Sequence, residues 1–570
     1  MYSPRSIGVL LIAALPRPVM CLWPQPQTIS TGSVALRLST NFAIQPPMAS
    51  SPVDLMDAIS RTESFLKNDK LERLVVGRGA ADADAVAGAR VLSSLRLELG
   101  GDISPTAALS LKSITDDARA LLESRNEAYS LQIPADGSAA VLRANSSLGL
   151  FRGLTTFSQL WYWAGGVVYT IEAPISINDS PAYPYRGFML DTARNFFPVP
   201  DILRTLDAMS WVKMSTLHWH ISDSQSFPLE VPGFMEISEK GAYSKSSVYT
   251  PIDVQNVVDY AGSRGIDILV EIDTPGHSSI ISASHPEFVA CAVASPWAVN
   301  AAGNPLQPRP TLLSEPPSGQ LRLATPAVVN FTAELFSAVA GLFPSTMLST
   351  GGDEVNNACY ANDPETQAAL NATGQTVTQA LNTFVNTMHD ALRSRNKTPV
   401  VWEEMLLDYG VTLNNDTIIM VWISSQNAAS VAQKGFRFIH AASDYFYLDC
   451  GAGEWLGNDV SGNSWCAPFK TWQHSYTFNP TENLAEDEAK LVLGGQHLLW
   501  TEQSSPANLD SITWPRAAAS AEVFWSGAGR DLDSALPRLH DLGYRMVQRG
   551  VQAIKLQPEW CALRPGACDD

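Results

Sequence analysis

A chain of 570 residues has room for two or three domains and at least one large core. Hydrophobic residues make up 45% and charged residues 17%, which excludes a disordered chain and fits a folded, soluble one. A formal net charge of −19 repels phosphate backbones and gives no polybasic attraction to anionic lipid, so nucleic acid and membrane surfaces are set aside as partners.

The chain opens MYSPRSIGVLLIAALPRPVMC. Arg5 precedes an apolar run, Ile7 to Leu15, that is too short to span a bilayer, so residues 1–21 are expected to be a secretory signal. The destination is then extracellular, or a vacuolar or lysosomal type of compartment. Export makes the cysteines informative. Cys21 leaves with the signal; Cys291, Cys359, Cys450, Cys466, Cys561 and Cys568 remain, and an even number favours disulfides, with fifteen pairings open. Sequons at Asn145, Asn178, Asn330, Asn371, Asn396 and Asn415 suit a glycosylated, exported chain.

Residues 22–180 read as a small α+β domain. LERLVVG and AYSLQI are expected as strands, DDARALLESR and SLGLFRGLTTFSQLWYW as helices. Over residues 181–570 the pattern changes to apolar strands alternating with helices, ending in a C-terminal tail. The strands are RGFMLDTA, MSTLHWHIS, GIDILVEID, TMLSTGGDE, PVVWEE, TIIMVW, FRFIHAA and QHLLWTE. DILRTLDAMSWVK, PIDVQNVVDYAGSR, TPAVVNFTAELFSAVA and VTQALNTFVNTMHDALRSR are helices between them. Eight such units predict an α/β fold with a closed (β/α)8 (TIM) barrel as the catalytic domain.

Sites of this fold lie at the C-terminal ends of the strands. Those ends carry Arg194, Asp223, Asp273 with His277, Asp353 with Glu354, Trp402, Trp422, and Trp500 with Glu502; SDYFYLDC after the seventh strand adds Tyr447 and Asp449. An acidic pair behind two glycines is, taken alone, more often a solvated loop. Tryptophans at three strand ends beside acids, an arginine and a tyrosine fit a sugar pocket better, because pyranose rings present C–H faces to aromatic rings and hydroxyls to charged groups. His218 and His220 face one side of their strand, but no third ligand follows at zinc-site spacing. They are read as core residues bonded to polar neighbours, and no metal or other cofactor is expected. Asp223 and His277 are placed as a supporting pair behind a carboxyl group.

RGFMLDTARNFF, STLHWHISDSQSFPLEV, VEIDTPGHS, GGDEVN, VVWEEM, YLD and LWTEQ, in this order, resemble glycoside hydrolase family 20, the β-N-acetylhexosaminidases. The likeness runs from LWPQP at residue 22 to WPRAAASAEVFWS. It implies an exo-acting, retaining enzyme that removes terminal GlcNAc or GalNAc from chitooligosaccharides or glycoconjugates, with the substrate's own 2-acetamido group as nucleophile. It also implies roles. Glu354 is the acid and base, Asp353 holds the acetamide N–H, and Tyr447 orients the acetamide oxygen. Arg194, Glu502 and Asp449 bind hydroxyls, Trp402, Trp422 and Trp500 wall the pocket, and Asp223 and His277 support the acid. The resemblance further implies a homodimer and the pairing Cys291–Cys359, leaving Cys450–Cys466 and Cys561–Cys568 as local bridges. Loops 280–322 and 450–485 are expected to shape the space beyond the first sugar. Two competing readings are a non-catalytic carbohydrate-binding protein derived from such a hydrolase, and a glycosidase that uses two protein carboxylates on ordinary sugars.

Overall fold

The computed structural model describes residues 21–100, 111–292, 316–451, 466 and 469–568. All of the expected signal except Cys21 lies outside these residues, as do parts of both rim loops.

The N-terminal unit is a sheet of six strands: β1 (Thr28–Gln45), β2 (Arg90–Leu99), β3 (Tyr129–Ile133), β4 (Ala140–Ala144), β5 (Tyr162–Ala164) and β6 (Val167–Asp179), in the order β1-β2-β4-β3-β6-β5 with β1 also paired to β6. Helices Val53–Asn68 and Ser147–Gln159 cover it. The second helix is buried on every side, as expected of a helix caught between two bodies. Its first turn is capped by Ser146, whose side chain accepts from the Gly149 N–H.

Three local expectations are corrected here. LERLVVG forms no strand: Leu71 and Leu74 bury their side chains, but the backbone is irregular and runs into a 3-10 turn over Arg78–Asp82. DDARALLESR is helical only in Ile114–Ala118, with a 3-10 turn at Leu122–Ser124. Its arginines reach the barrel instead: Arg119 donates to the Val258 carbonyl at 3.0 Å and Arg125 to Asp267 at 3.1 Å. SLGLFRGLTTFSQLWYW leaves the helix after Gln159, where the chain turns to pair as β5.

The barrel strands are β7 (Tyr185–Asp191), β8 (Thr216–Ser222), β9 (Asp267–Ile272), β12 (Met347–Ser349), β13 (Thr398–Trp402), β14 (Ile418–Val421), β15 (Phe438–His440) and β17 (Val492–Leu499). All are parallel to their neighbours, and the β15–β17 and β17–β7 pairings close the ring, so each of the eight barrel strands read from the sequence is present. The four expected helices occupy Val199–Trp211, Pro251–Gly262, Pro326–Leu342 and Val377–Ser394. Two additions matter for the site. β10 (Val289–Ala290) and β11 (Gln320–Leu321) form a small antiparallel ribbon, and β16 (Tyr447–Asp449) lies against β17.

Buried ion pairs join the two units. Glu127 accepts from Arg152 at 2.7 Å and from Arg186, on β7, at 2.6 Å; all three side chains are essentially fully buried. Arg152 also donates to the carbonyls of Met214 and Gly265, just ahead of β8 and β9. Against its burial, the two arginines hold the Glu127 carboxyl at about 2. A carboxyl depressed in this way stabilises the fold above its unfolded value and loses that contribution as pH falls towards about 2. Glu127→Gln leaves two buried guanidinium groups without their anion. It is expected to destabilise the protein by about 3–5 kcal/mol at pH 7, read by denaturant titration; an unchanged midpoint would show that the triad does not anchor the interface.

Candidate active site

The site grows from the way the chain leaves β12. After Ser349 come Thr350, Gly351 at φ 66° and Gly352 at φ 103°, and Glu354 itself sits at φ 50°. A Cβ on Gly351 would lie 1.9 Å from Asp273 Oδ1, so only glycine fits. The left-handed run breaks the alternation of a strand and sends Asp353 and Glu354 into different surroundings.

Asp353 faces other acids. Asp273, at the end of β9, accepts from the Gly352 N–H at 2.8 Å. Burial and then the neighbouring Asp353 push its carboxyl well above the usual range. Glu404, just past β13, accepts from Trp422 Nε1 at 2.8 Å, and burial followed by Asp353 also holds it well above the usual range. The Tyr447 phenol is buried, and burial together with Asp353 and Glu354 keeps it protonated well above its ordinary value. This side of the turn therefore places two raised carboxyls and an O–H around Asp353.

Glu354 faces a cation. His277 Nε2 lies 3.3 Å from Glu354 Oε2 and 3.8 Å from Asp353 Oδ2, while Nδ1 lies 3.1 Å from Asp223 Oδ1. Burial opposes the charge, but Asp223 and Asp353 outweigh it and hold the imidazole protonated well above its ordinary value. Asp223 is paired on its other oxygen, where Oδ2 lies 3.0 Å from Arg194 Nη1 and 2.9 Å from His220 Nε2. These cations keep Asp223 ionised despite complete burial. Asp273, His277 and Asp353 bring one possible ligand atom each within 4.8 Å of one another. In this structure they are engaged with each other, with Asp223 and with Glu354.

The wall is aromatic. Trp402 and Trp500 have ring centres 6.4 Å apart, Trp500 and Tyr447 6.2 Å, and Tyr447 and Trp422 6.4 Å with planes 11° from parallel. The Arg194 guanidinium lies 4.9 Å from the Trp500 ring centre. Asp449 accepts from Ser504 at 3.0 Å and from the Cys450 N–H at 2.9 Å. Glu502 is half-buried, just past β17.

Four contributors escaped the sequence reading. Asp191 at the end of β7 accepts from the Arg194 N–H at 3.1 Å and from the Thr501 N–H at 3.1 Å, tying the rims of the first and last strands together. Tyr409 accepts from the Val355 N–H at 2.8 Å. Gln320, on β11, clamps Asn356 in both directions, accepting its N–H at 3.0 Å and donating to its carbonyl at 2.6 Å. Glu404 stood in the VVWEEM motif without a role. The disulfides are Cys291–Cys359, Cys450–Cys466 and Cys561–Cys568. The first fastens the β10–β11 ribbon to the helix that follows Glu354.

A closed parallel barrel whose C-terminal rim carries paired carboxyls inside a ring of aromatic side chains defines a sugar-cleaving enzyme. The profile of glycosyl hydrolase family 20, catalytic domain, matches residues 183–528, and that described as beta-acetyl hexosaminidase like matches residues 22–160. A beta-hexosaminidase of Arthroderma benhamiae is 35% identical over 468 residues, covering 78% of this chain and 74% of that protein. A chitooligosaccharidolytic beta-N-acetylglucosaminidase of Bombyx mori is 36% identical over 468 residues, covering 78% and 75%. Among solved structures, a Flavobacterium johnsoniae chitobiase superposes with a TM-score of 0.72 at 24% identity, covering 94% of this chain and 74% of that one; it shows the shared fold. The chain belongs to glycosyl hydrolase family 20.

Glu403, beside Glu404, is fully buried and accepts from the Ile423 N–H at 2.9 Å and from Asn427 at 3.0 Å. It fixes the chain just after Trp422. Burial raises its carboxyl to about 7. Its contribution to stability is whole below about pH 4.5 and is lost as pH rises through about 7. Glu403→Gln mimics the protonated form. It is expected to remove on the order of 3 kcal/mol of the stability lost between pH 5 and pH 8, measured by denaturation at both values; an identical pH dependence in the variant would overturn this.

Proposed function

We propose that Asp353, Glu354 and Tyr447 carry out substrate-assisted cleavage, with retention, of a terminal N-acetylhexosamine. The activity itself is that of an exo-acting β-N-acetylhexosaminidase, as family membership and the named relatives support. The observation that carries the mechanism is the polar character around Asp353. Asp353 has Asp273 and Glu404, both held well above the usual carboxyl range, the buried Tyr447 phenol, and His277 Nε2 at 3.8 Å as its neighbours. That arrangement suits an amide, whose N–H meets the carboxylate and whose C=O meets the phenol O–H.

Asp353 takes the acetamide N–H and Tyr447 donates to the acetamide oxygen. That oxygen attacks the anomeric carbon as Glu354 gives its proton to the departing glycosidic oxygen. The product of this step is an oxazolinium ion, whose charge Asp353 stabilises. Glu354, now a carboxylate, takes a proton from water as the water opens the ring, and the anomeric configuration is retained. Arg194 and Glu502 bind the 3- and 4-hydroxyls, Asp449 the 6-hydroxyl, and Trp402, Trp422 and Trp500 press the acetamide towards its target. The relatives' names favour chitooligosaccharides among the substrates.

Export and N-glycosylation belong to the same proposal. All six sequon asparagines, Asn145, Asn178, Asn330, Asn371, Asn396 and Asn415, are exposed, and among the described residues no helix is long and apolar enough to cross a membrane. The two profile matches support a division near residue 180.

Glu354→Gln is expected to lose roughly 10²–10⁴ of turnover on chitobiose while still binding GlcNAc. Near-normal turnover would remove Glu354 from its role. Asp353→Asn should lower turnover and weaken binding of a stable oxazoline mimic together; unchanged inhibitor affinity would make Asp353 structural only. β-GlcNAc and β-GalNAc should both be cleaved. Efficient hydrolysis of a β-glucoside, which lacks the nucleophile, would sink substrate assistance.

A further inference from the structure

Glu271 lies in the barrel lumen, fully buried, in register with His220 on β8 and with Ser349 on β12. Its Oε1 is 2.6 Å from His220 Nδ1 and its Oε2 is 3.2 Å from His218 Nε2. Ser349 also donates to it. The partners tell the two histidines apart. Gln496 Nε2 donates to His218 Nδ1 at 3.0 Å, which leaves the other ring nitrogen of His218 to face Glu271. His220 has a carboxylate at each nitrogen, Glu271 at Nδ1 and Asp223 at Nε2, so both nitrogens hold protons.

We propose that Glu271 is a positioning residue for both halves of the active site, fixing His220 as a two-proton cation that in turn aims Asp223 at Arg194 and at His277. The inference rests on the catalytic reading of Glu354 and Arg194 given above. The path is continuous. Glu271 orients His220, His220 holds Asp223 Oδ2, and Asp223 then divides between Arg194 Nη1 at 3.0 Å and His277 Nδ1 at 3.1 Å, with Glu354 beyond at 3.3 Å. Without the Glu271 charge, a neutral His220 can serve only one of the two acceptors that face it. If Nε2 loses its proton, Asp223 Oδ2 meets a lone pair. The other charged and titratable groups around this pair are Asp191, Arg194 and Tyr185 from β7 and its exit, His218 on β8 and Asp273 beyond β9. The Trp500 ring covers His220 from β17, with centres 4.9 Å apart. Burial opposes the His220 charge, yet bonds to Asp223 and Glu271 raise the imidazole to about 9, which agrees with the geometry.

The test compares Glu271→Gln with wild type on a chromogenic N-acetylglucosaminide across pH. Near pH 5, where an ordinary imidazole is still protonated, the variant should retain most of its kcat/KM. By about pH 8 it should fall roughly tenfold or more below wild type, with kcat lowered and KM raised together, because Glu354 and Arg194 share Asp223. Glu271→Asp keeps the charge and should keep the shape of the wild-type profile. A Glu271→Gln to wild-type ratio that stays flat with pH marks Glu271 as merely structural and overturns the proposal. A wild type inactive on this substrate overturns the catalytic reading instead. If Glu271→Gln does not fold, wild-type enzyme with 15N-labelled histidine decides. Two imidazoles, His220 and His277, must keep both N–H signals up to about pH 8; fewer than two rejects the scheme.

Discussion

The catalytic arrangement depends on one steric constraint: the chain leaves β12 through space that no side chain can occupy. At Gly351 a Cβ would overlap Asp273, and at Gly352 it would press on Met405 at 2.8 Å. The left-handed backbone that glycine allows lets the Gly352 N–H reach Asp273 and turns the next two side chains apart. Glu354 then takes a positive φ of its own, an unfavourable conformation for a residue with a Cβ. Its surroundings hold it there: Tyr409 binds the following N–H, Gln320 clamps the next peptide, and Cys291–Cys359 anchors the helix beyond. Two neighbours in sequence can therefore take opposite parts in one reaction.

The charges around this turn bear on the competing chemistries. A two-carboxylate glycosidase needs a second ionised side chain free to bond the anomeric carbon. Asp353 is enclosed by Asp273 and Glu404, both held above the usual carboxyl range, by the Tyr447 phenol and by His277 at 3.8 Å, which fits a carboxyl group that receives an N–H better than one that attacks. A sugar-binding protein without catalysis would gain little from His277 under Glu354. Burying Glu271, His220, Asp223 and His277 costs several kcal/mol per ion before pairing, and apolar residues of similar volume would often stabilise a core as well or better. A buried row of alternating charge that ends on a carboxyl in an aromatic pocket makes sense where that carboxyl has to exchange a proton.

The barrel was legible because its strands are buried on both faces and read as continuous apolar runs; every residue of β7, β8, β9 and β17 is buried. The first strand was not legible. β1 spans Thr28–Gln45, but most of its side chains are exposed, and its sequence is polar with no clear alternation. LERLVVG misled for the opposite reason: its leucines serve the core without any backbone pairing, and composition cannot tell that from a strand. In the site, Arg194, Asp353, Glu354 and the tryptophans were visible because they follow strand ends in a recognisable order. Tyr409 and Gln320 were not, since each acts only on backbone groups far away in sequence, Tyr409 on the Val355 N–H and Gln320 on the N–H and carbonyl of Asn356. Glu271 was visible only as a charge inside an apolar strand, VEID, and its partners come from β8 and β12.

The N-terminal unit takes its place from the opposite end of the barrel. Arg186 lies at the start of β7, Met214 just ahead of β8, and Gly265 and Asp267 at the start of β9, and these are the points that Glu127, Arg152 and Arg125 hold. Lys213, also ahead of β8, reaches Asp179 at 2.8 Å with both side chains buried. In such barrels the bottom face serves stability and the top face serves chemistry. The unit therefore contacts none of Arg194, Asp353, Glu354 or Tyr447 through these pairs, yet it fixes the starts of β7, β8 and β9. Those same strands deliver Asp191 with Arg194, His220 with Asp223, and Glu271 with Asp273 to the rim. The β7–β8 ladder runs unshifted from Gly187 to Asp191, and the β8–β9 ladder from Thr216 to His220, with an irregularity after His220. The accessory unit is thus attached, through buried ion pairs, at the starts of the same three strands whose far ends carry the rim residues.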